Sequence, residues 1–358
     1  MLMESRAVAT PRQPTQKVRV RPMQGRDEDA WDAFVDRSPG ATFFHQARWR
    51  RIVEHVFHHR CHYLIAERSD RISGVLPLAQ VRSRLFGHSL VSLPFCVYGG
   101  PVGDDEAAVS ALIDAAVELG RALGVDQLEL RNRDALRPAW PHQDLYVTFR
   151  KPLESSVEAN MSAIPRKQRA MVRKGIARGL RSERDGSADR FFRLYSDNMH
   201  RHGTPALPSR YFDALLAEFG EAAEVLTVTD ATGVAVSSVL SFHFRDEVLP
   251  YYAGDTPRAR EFAANDFKYW ELMRRACERG VRVFDYGRSK RGSGSYAFKK
   301  NWGFEPSPLA YEHHLYVGDT IPQHNPANPR YRALIGLWRR LPRPIVDTLG
   351  PMIVRNLG

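Results

Sequence analysis

Apolar positions along the chain alternate between two spacings, and their order repeats. Val109, Leu112, Ile113 and Ala116 recur at helical spacing, as do Tyr269, Leu272, Met273, Ala276 and Cys277. Each set marks one buried helix face. Gly124 and Gly280 follow the two helices where a C-terminal glycine is expected. Short apolar runs bounded by polar turns predict strands at 63–67, 72–81, 89–95 and 125–130. A second series is predicted at 225–229, 234–244, 248–253 and 281–285. Paired helices precede each series, at 27–37 and 45–57, then at 188–202 and 209–219. Each half thus reads helix–helix–strand–strand–strand–helix–strand. The junction Gly124-Val125-x-x-Leu128-Glu129 is echoed by Gly280-Val281-x-x-Phe284-Asp285. A meander followed by a helix and a parallel strand predicts an α/β (α+β) layer fold of mixed sheets with flanking helices. Two copies would face a shared cleft, where ligands tend to bind.

The expected organisation is a disordered tail at 1–16, modules at 17–152 and 153–318, and a linker with a basic amphipathic tail at 319–358. Within that tail, 321–330 reads as Pro- and Asn-rich linker. Residues 331–340 read as a short helix with Leu334, Leu337 and Trp338. The terminal segment with Pro342, Ile345, Val346, Leu349, Ile353 and Val354 either docks on the body or touches the inner membrane as a peripheral contact. Docking is the default.

At 358 residues, 43% hydrophobic and 26% charged, the composition is that of a soluble globular protein. The net charge of +11 favours an anionic partner without choosing among them. The cations from Arg166 to Arg181, with Arg169, Arg173 and Lys174 among them, cover about half of a helical wheel. They read as a cationic rod along a cleft or as a solvated face. No aromatic interleaves them, which argues against a general nucleic-acid binder, DNA included. Cys61, Cys96 and Cys277 are widely spaced, so reduced core thiols are expected and zinc or redox motifs are not. The cluster His55, His58, His59 and His62 straddles the expected helix end at Phe57, so no metal site is expected. The first residues hold no apolar run, and no stretch reaches the ~18 apolar residues of a membrane span. A cytoplasmic protein is the expectation.

The densest chemistry lies at 284–306, F-D-Y-G-R-S-K-R-G-S-G-S-Y-A-F-K-K-N-W-G-F-E-P. A strand end presents Asp285. Arg288, Lys290 and Arg291 follow on a Gly- and Ser-rich loop, then Phe298-Lys299-Lys300. Cations beside such a backbone can hold an anion or a developing oxyanion.

These residues carry a resemblance. Tyr252-Ala253-Gly254, the helix from Asn265, Phe284-Asp285-Tyr286-Gly287-Arg288-Ser289 and Phe298-Lys299-x-x-Trp302-Gly303 resemble the Fem-type acyltransferases of the GNAT superfamily. More narrowly, the chain is similar to FemAB-family proteins associated with exosortase and PEP-CTERM systems, over residues 17–316. The resemblance implies a tandem GNAT fold and transfer of an acyl or aminoacyl group to an amine. In Fem peptidyltransferases the donor is aminoacyl-tRNA and the acceptor a peptidoglycan precursor. The family's catalytic lysine maps onto Lys299 after Phe298, and its base onto Asp104 after Gly100-Pro101-Val102. Asp104 and Asp105 equally suit capping of the next helix. Arg169, Arg173, Lys174 and Arg288 would bind donor or acceptor phosphates, and Tyr252 would stack on a sugar or base. The chain departs from the family in lacking an inserted helical arm. It also lacks, at 255–262, the Q/R-x-x-G-x-G/A phosphate loop of acetyl-CoA-dependent relatives. No resident cofactor is expected, and the donor stays open between aminoacyl-tRNA and acyl-CoA. The expected partners are an anionic small molecule or lipid-linked glycan, and tRNA. The alternative is a GNAT-like protein that binds an anionic glycan or tRNA without catalysis.

Overall fold

The computed structural model describes residues 17–83, 87–321, 336 and 338–356. The tail at 1–16 and nearly all of the linker and short helix expected over 321–340 lie outside the described residues.

The first module begins with β1 (Arg19–Pro22), α1 (Glu28–Arg37) and α2 (Trp49–Phe57). Helix α2 stops at Phe57 because His58 adopts a left-handed φ of 57°. Then come β2 (Arg60–Cys61), β3 (Leu64–Arg68), β4 (Arg71–Leu76), β5 (Ala79–Ser83), β6 (Gly87–Val91) and β7 (Val102–Gly103). Helix α3 (Glu106–Leu123) and β8 (Gln127–Asn132) complete it. The single strand expected at 72–81 is two. Pro77 has no N–H to continue a ladder, so β4 stays in a four-stranded sheet, β1-β3-β4-β7, while β5 joins a six-stranded one.

The chain then crosses over through β9 (His142–Gln143) and β10 (Tyr146–Pro152). Helices α4 (Val157–Ala163) and α5 (Arg166–Ala177) and strand β11 (Arg181–Asp185) lead into the second module. It runs α6 (Asp189–His202), α7 (Ser209–Phe219), β12 (Ala223–Thr229), β13 (Ala235–Phe244), β14 (Glu247–Asp255), α8 (Ala259–Phe262), α9 (Ala264–Glu278) and β15 (Val283–Lys290). After it come α10 (Gly294–Asn301), β16 (Pro306–Pro308), β17 (Ala310–Leu315) and the terminal helix α11 (Arg343–Val354). The duplicated order is therefore present: β6 and β8 are parallel across α3, and β14 and β15 are parallel across α9.

The modules exchange strands. β10 pairs with β15 in the seven-stranded sheet, order β11-β12-β13-β14-β15-β10-β16. β17 returns to pair with β8 in the six-stranded sheet, order β2-β5-β6-β8-β17-β9. A cut of the sequence at 152/153 leaves β10 with the first module, whereas its ladder lies in the second.

Between the modules lies a shared aromatic core. Phe43 stacks on Phe242 with centroids 4.3 Å apart and meets Phe219 at 4.5 Å. Phe57 stacks on Phe95 at 3.9 Å and meets Tyr211 at 5.2 Å. These rings are buried except Phe95, which is partly so. The opposite face of the seven-stranded sheet carries a separate core of Phe149, Phe284, Tyr286, Trp270 and Trp302 under α9, α4 and α5.

Candidate active site

Successive carbonyls of a strand point in alternate directions. At the end of β15 three in a row converge instead. Gly287 takes a left-handed φ of 62°, and β15 bulges where Phe149 of β10 stands opposite Tyr286 and Gly287. Lys299 on α10 fills the resulting nest. Its Nζ donates to the carbonyls of Tyr286 at 2.7 Å, Gly287 at 3.1 Å and Arg288 at 3.1 Å. The ammonium also lies 5.5 Å from the Phe149 ring centroid. Burial pulls the Lys299 pKa down to about 7; Asp285 opposes this and Arg288 adds to it. Ser293 caps α10 by accepting from the Tyr296 N–H, and Trp302 Nε1 donates to Asp266 at the start of α9. Phe298 packs on Tyr269 and Trp302 beside the lysine.

β14 and β15 pair only through Glu247 with Val283 and Val248 with Phe284. Beyond these pairs the strands run on to Asp255 and Lys290 without bonding to each other. Tyr251, Tyr252 and Ala253 on the free stretch of β14 are half-buried. Opposite them stands the nest that Lys299 supports.

Asp285 links this region to the first module. It is fully buried, accepts from the Gly287 N–H at 2.7 Å, and lies 3.1 Å from the Tyr98 hydroxyl. Tyr98 also meets Thr148 Oγ1 at 2.5 Å, and Arg150 reaches Asp285 at 3.4 Å and bonds Glu247. Burial raises the Asp285 pKa, and Arg150 opposes the rise.

Tyr98 lines a cavity of about 220 Å³ with Thr42, His45, Gly100, Asn132 and Arg133. His45 Nδ1 accepts from the Thr42 N–H at 3.0 Å, so its Nε2–H donates to the Gly100 carbonyl at 2.9 Å. Burial lowers its pKa to about 4. The unfolded imidazole takes up a proton near pH 6.5 and the folded one near 4, so stability is full above 6.5 and falls on acidification until about 4. This interval is worth about 3 kcal/mol. A urea-midpoint series in pH should show the loss, and His45→Gln should flatten it.

Lys299, Phe298 and Arg288 gather at the end of β15. Arg288 leaves the strand on the side of the first module, its guanidinium 4.5 Å over Tyr146 and 5.8 Å from Tyr311. Tyr252 faces α6 and α7, with its hydroxyl 3.0 Å from that of Tyr211. Asp105, not Asp104, caps α3, accepting from the Ala108 N–H at 2.9 Å and pairing with Arg68. Asp104 is exposed and follows the cavity-lining Gly103. Helix α5 packs on α9 through Gln168, Val172 and Gly175, on the sheet face away from the first module. Arg173 and Lys174 are exposed there, and Arg169 bonds the Ser162 carbonyl. The cationic rod thus lies on the outer layer and not between the modules. In the sequence Asp285 stood at a strand end without a role, and Tyr98, His45 and Arg150 were not singled out. The Tyr98-Gly99-Gly100 run was the only local signal.

Residues 163–300 match a family described as an acetyltransferase (GNAT) domain. A comparison with curated proteins finds no match. Among solved structures the chain is similar to FemX, with 16% identity, TM-score 0.64, and coverage of 82% of this chain and 97% of that one. It is similar to L-PGS from Bacillus licheniformis at 13% identity and TM-score 0.55, covering 93% and 97%. A tandem GNAT protein from the clavulanic acid biosynthesis pathway aligns at 11% identity and TM-score 0.54, covering 85% and 100%. The fold is a tandem GNAT fold. The two parallel pairs, each bridged by a helix, are its duplicated cores.

Proposed function

We propose that this chain is an acyl- or aminoacyltransferase that moves an acyl group to an amine of an envelope or exopolysaccharide precursor. The observation that carries this reading is the diverging pair β14/β15 with a buried ammonium fixed at its open end. In such a transfer the amine attacks the acyl carbonyl, an oxyanion forms, the donor's oxygen or sulfur leaves, and the amine sheds a proton. Lys299 and Arg288 flank the strand end from opposite sides and supply positive potential for the oxyanion or the leaving atom. Asp104, at the cavity rim, is the proposed proton acceptor, which Asp104→Asn tests. Arg169, Arg173 and Lys174 would meet donor phosphates from the α9 side, and Tyr252 and Phe298 would line the path.

The start of α9 bears on the donor. A helix N-terminus holds a pyrophosphate through free N–H groups and positive potential. Here Asp266 places a carboxylate in that first turn, and Ala263 stands before it at a φ of 56°. This supports aminoacyl-tRNA over acyl-CoA. The resemblance to FemAB-like proteins of exosortase and PEP-CTERM systems supports a peptidoglycan or exopolysaccharide precursor as acceptor.

The test supplies charged tRNA pools and acyl-CoAs separately with amine-bearing precursors, and reads transfer by mass spectrometry. Transfer from one donor class, lost in Lys299→Met, is expected. A second reading has its own observation: the ammonium of Lys299 is committed to three carbonyls of its own chain. Salt-dependent binding of an anionic glycan or tRNA without transfer from any donor would establish that reading and end the first.

A further inference from the structure

Helix α11 has two apolar faces. Val346, Gly350 and Val354 are buried against the body, where Gly350 faces Ala206 and Trp338. Both ends of the helix are clamped. Arg343 pairs with Asp197 at 2.8 Å, and the carbonyl of Arg355 accepts from His59 Nε2 at 2.7 Å. The segment therefore docks. Yet Ile345, Leu349 and Met352, at i, i+4 and i+7, form a second stripe that is 42%, 41% and 62% exposed. They make up half of the exposed large hydrophobic residues among the described ones. Arg339 and Arg340 stand exposed before the helix and Arg355 after it. The one acidic residue of α11, Asp347, turns toward Arg343 on the α6 side.

We propose that this stripe and its flanking arginines seat the protein on an anionic lipid bilayer. An apolar stripe flanked by cations is the pattern of a helix lying in a membrane interface. Arginines beside such a surface are drawn to anionic headgroups. The chain's net charge of +11 adds long-range attraction. A second copy fits poorly. The helix is about 18 Å long, and one of its faces falls far short of the ~800 Å² per partner of a stable dimer. No helix among the described residues is long and apolar enough to cross a membrane, so the seating is superficial. Helix α6 lies between α11 and the end of β14, where Arg201 bonds the Asp255 carbonyl. A bilayer under α11 would thus lie on the side of the molecule where β14 parts from β15. The inference stands independently of the transferase reading.

The experiment is co-sedimentation of the full chain with vesicles of equal phosphatidylglycerol and phosphatidylcholine, and with phosphatidylcholine alone. Binding to the first and not the second is expected. The triple variant Ile345→Ser/Leu349→Ser/Met352→Ser should bind roughly tenfold or more weakly. Its urea midpoint should be unchanged, because the three side chains are exposed. Ile176→Ser, at an exposed apolar residue of the distant α5, leaves the charge unchanged and should bind within about twofold of the parent. Three outcomes overturn the proposal: no binding to the anionic vesicles, a triple variant that binds like the parent, or an α5 variant that loses binding instead. A dimer in light scattering that the triple variant abolishes would also overturn it, by assigning the stripe to a second copy.

Discussion

Lys299→Met is expected to cost about 2–4 kcal/mol of stability and to lower transfer by at least ~100-fold. Methionine matches the length of lysine but donates nothing. The carbonyls of Tyr286, Gly287 and Arg288 would lose a shared charged donor in a buried nest. Such hydrogen bonds are worth more than neutral ones, and their loss is only partly offset by relief of the buried charge. The structure makes the same ammonium a support of the strand end, so both quantities should move. The pH dependence separates the terms. The unfolded lysine holds its proton up to about pH 10.4, and the folded one only to about 7. Between these values the unfolded chain binds more protons, so this residue makes stability rise with pH, by at most about 1.4 kcal/mol per unit. Urea midpoints from pH 7 to 9.5 should show that slope in the parent and a reduced one in the variant. Equal slopes would mean that Lys299 is not buried as described.

Gly254→Ala should be the more disruptive single change, at ~3 kcal/mol or beyond. A Cβ there would lie 2.3 Å from the Tyr195 nitrogen and 2.4 Å from the Leu194 carbonyl carbon. Both are backbone atoms of α6, which no rotamer change can move. The helix would have to leave β14, opening the buried packing of Tyr195, Phe191 and Phe212 behind it. The measurements are soluble yield and urea midpoint, with Gly294→Ala as the control. Gly294 has open space around its Cβ position and begins α10. A Gly254→Ala protein as stable as the control would show that α6 does not approach β14 this closely.

The Tyr252-Ala253-Gly254 motif shows how far residues alone could be read. The glycine was quotable as part of a resemblance, but what it makes room for is a helix some 60 residues earlier in the chain. Asp285 is a similar case. It stood in the motif as a strand-end carboxylate, while its partners Tyr98 and Arg150 come from the other module and from the crossing strand. Capping was legible at one-residue precision only in kind: two adjacent aspartates suited it, and backbone geometry selected Asp105 over Asp104.

By itself the sequence determined the order of elements, the duplicated plan, and the helix ends at Phe57 and near Gly124 and Gly280. Those follow from local spacing and from backbone preferences that act over a few residues. Only the tertiary structure decided that β10 and β17 change places between the sheets, that the modules share one aromatic core, that α5 lies outside it, and that Lys299 turns onto its own backbone. Each of these depends on which distant surfaces bury one another, and period and propensity carry no information about that choice.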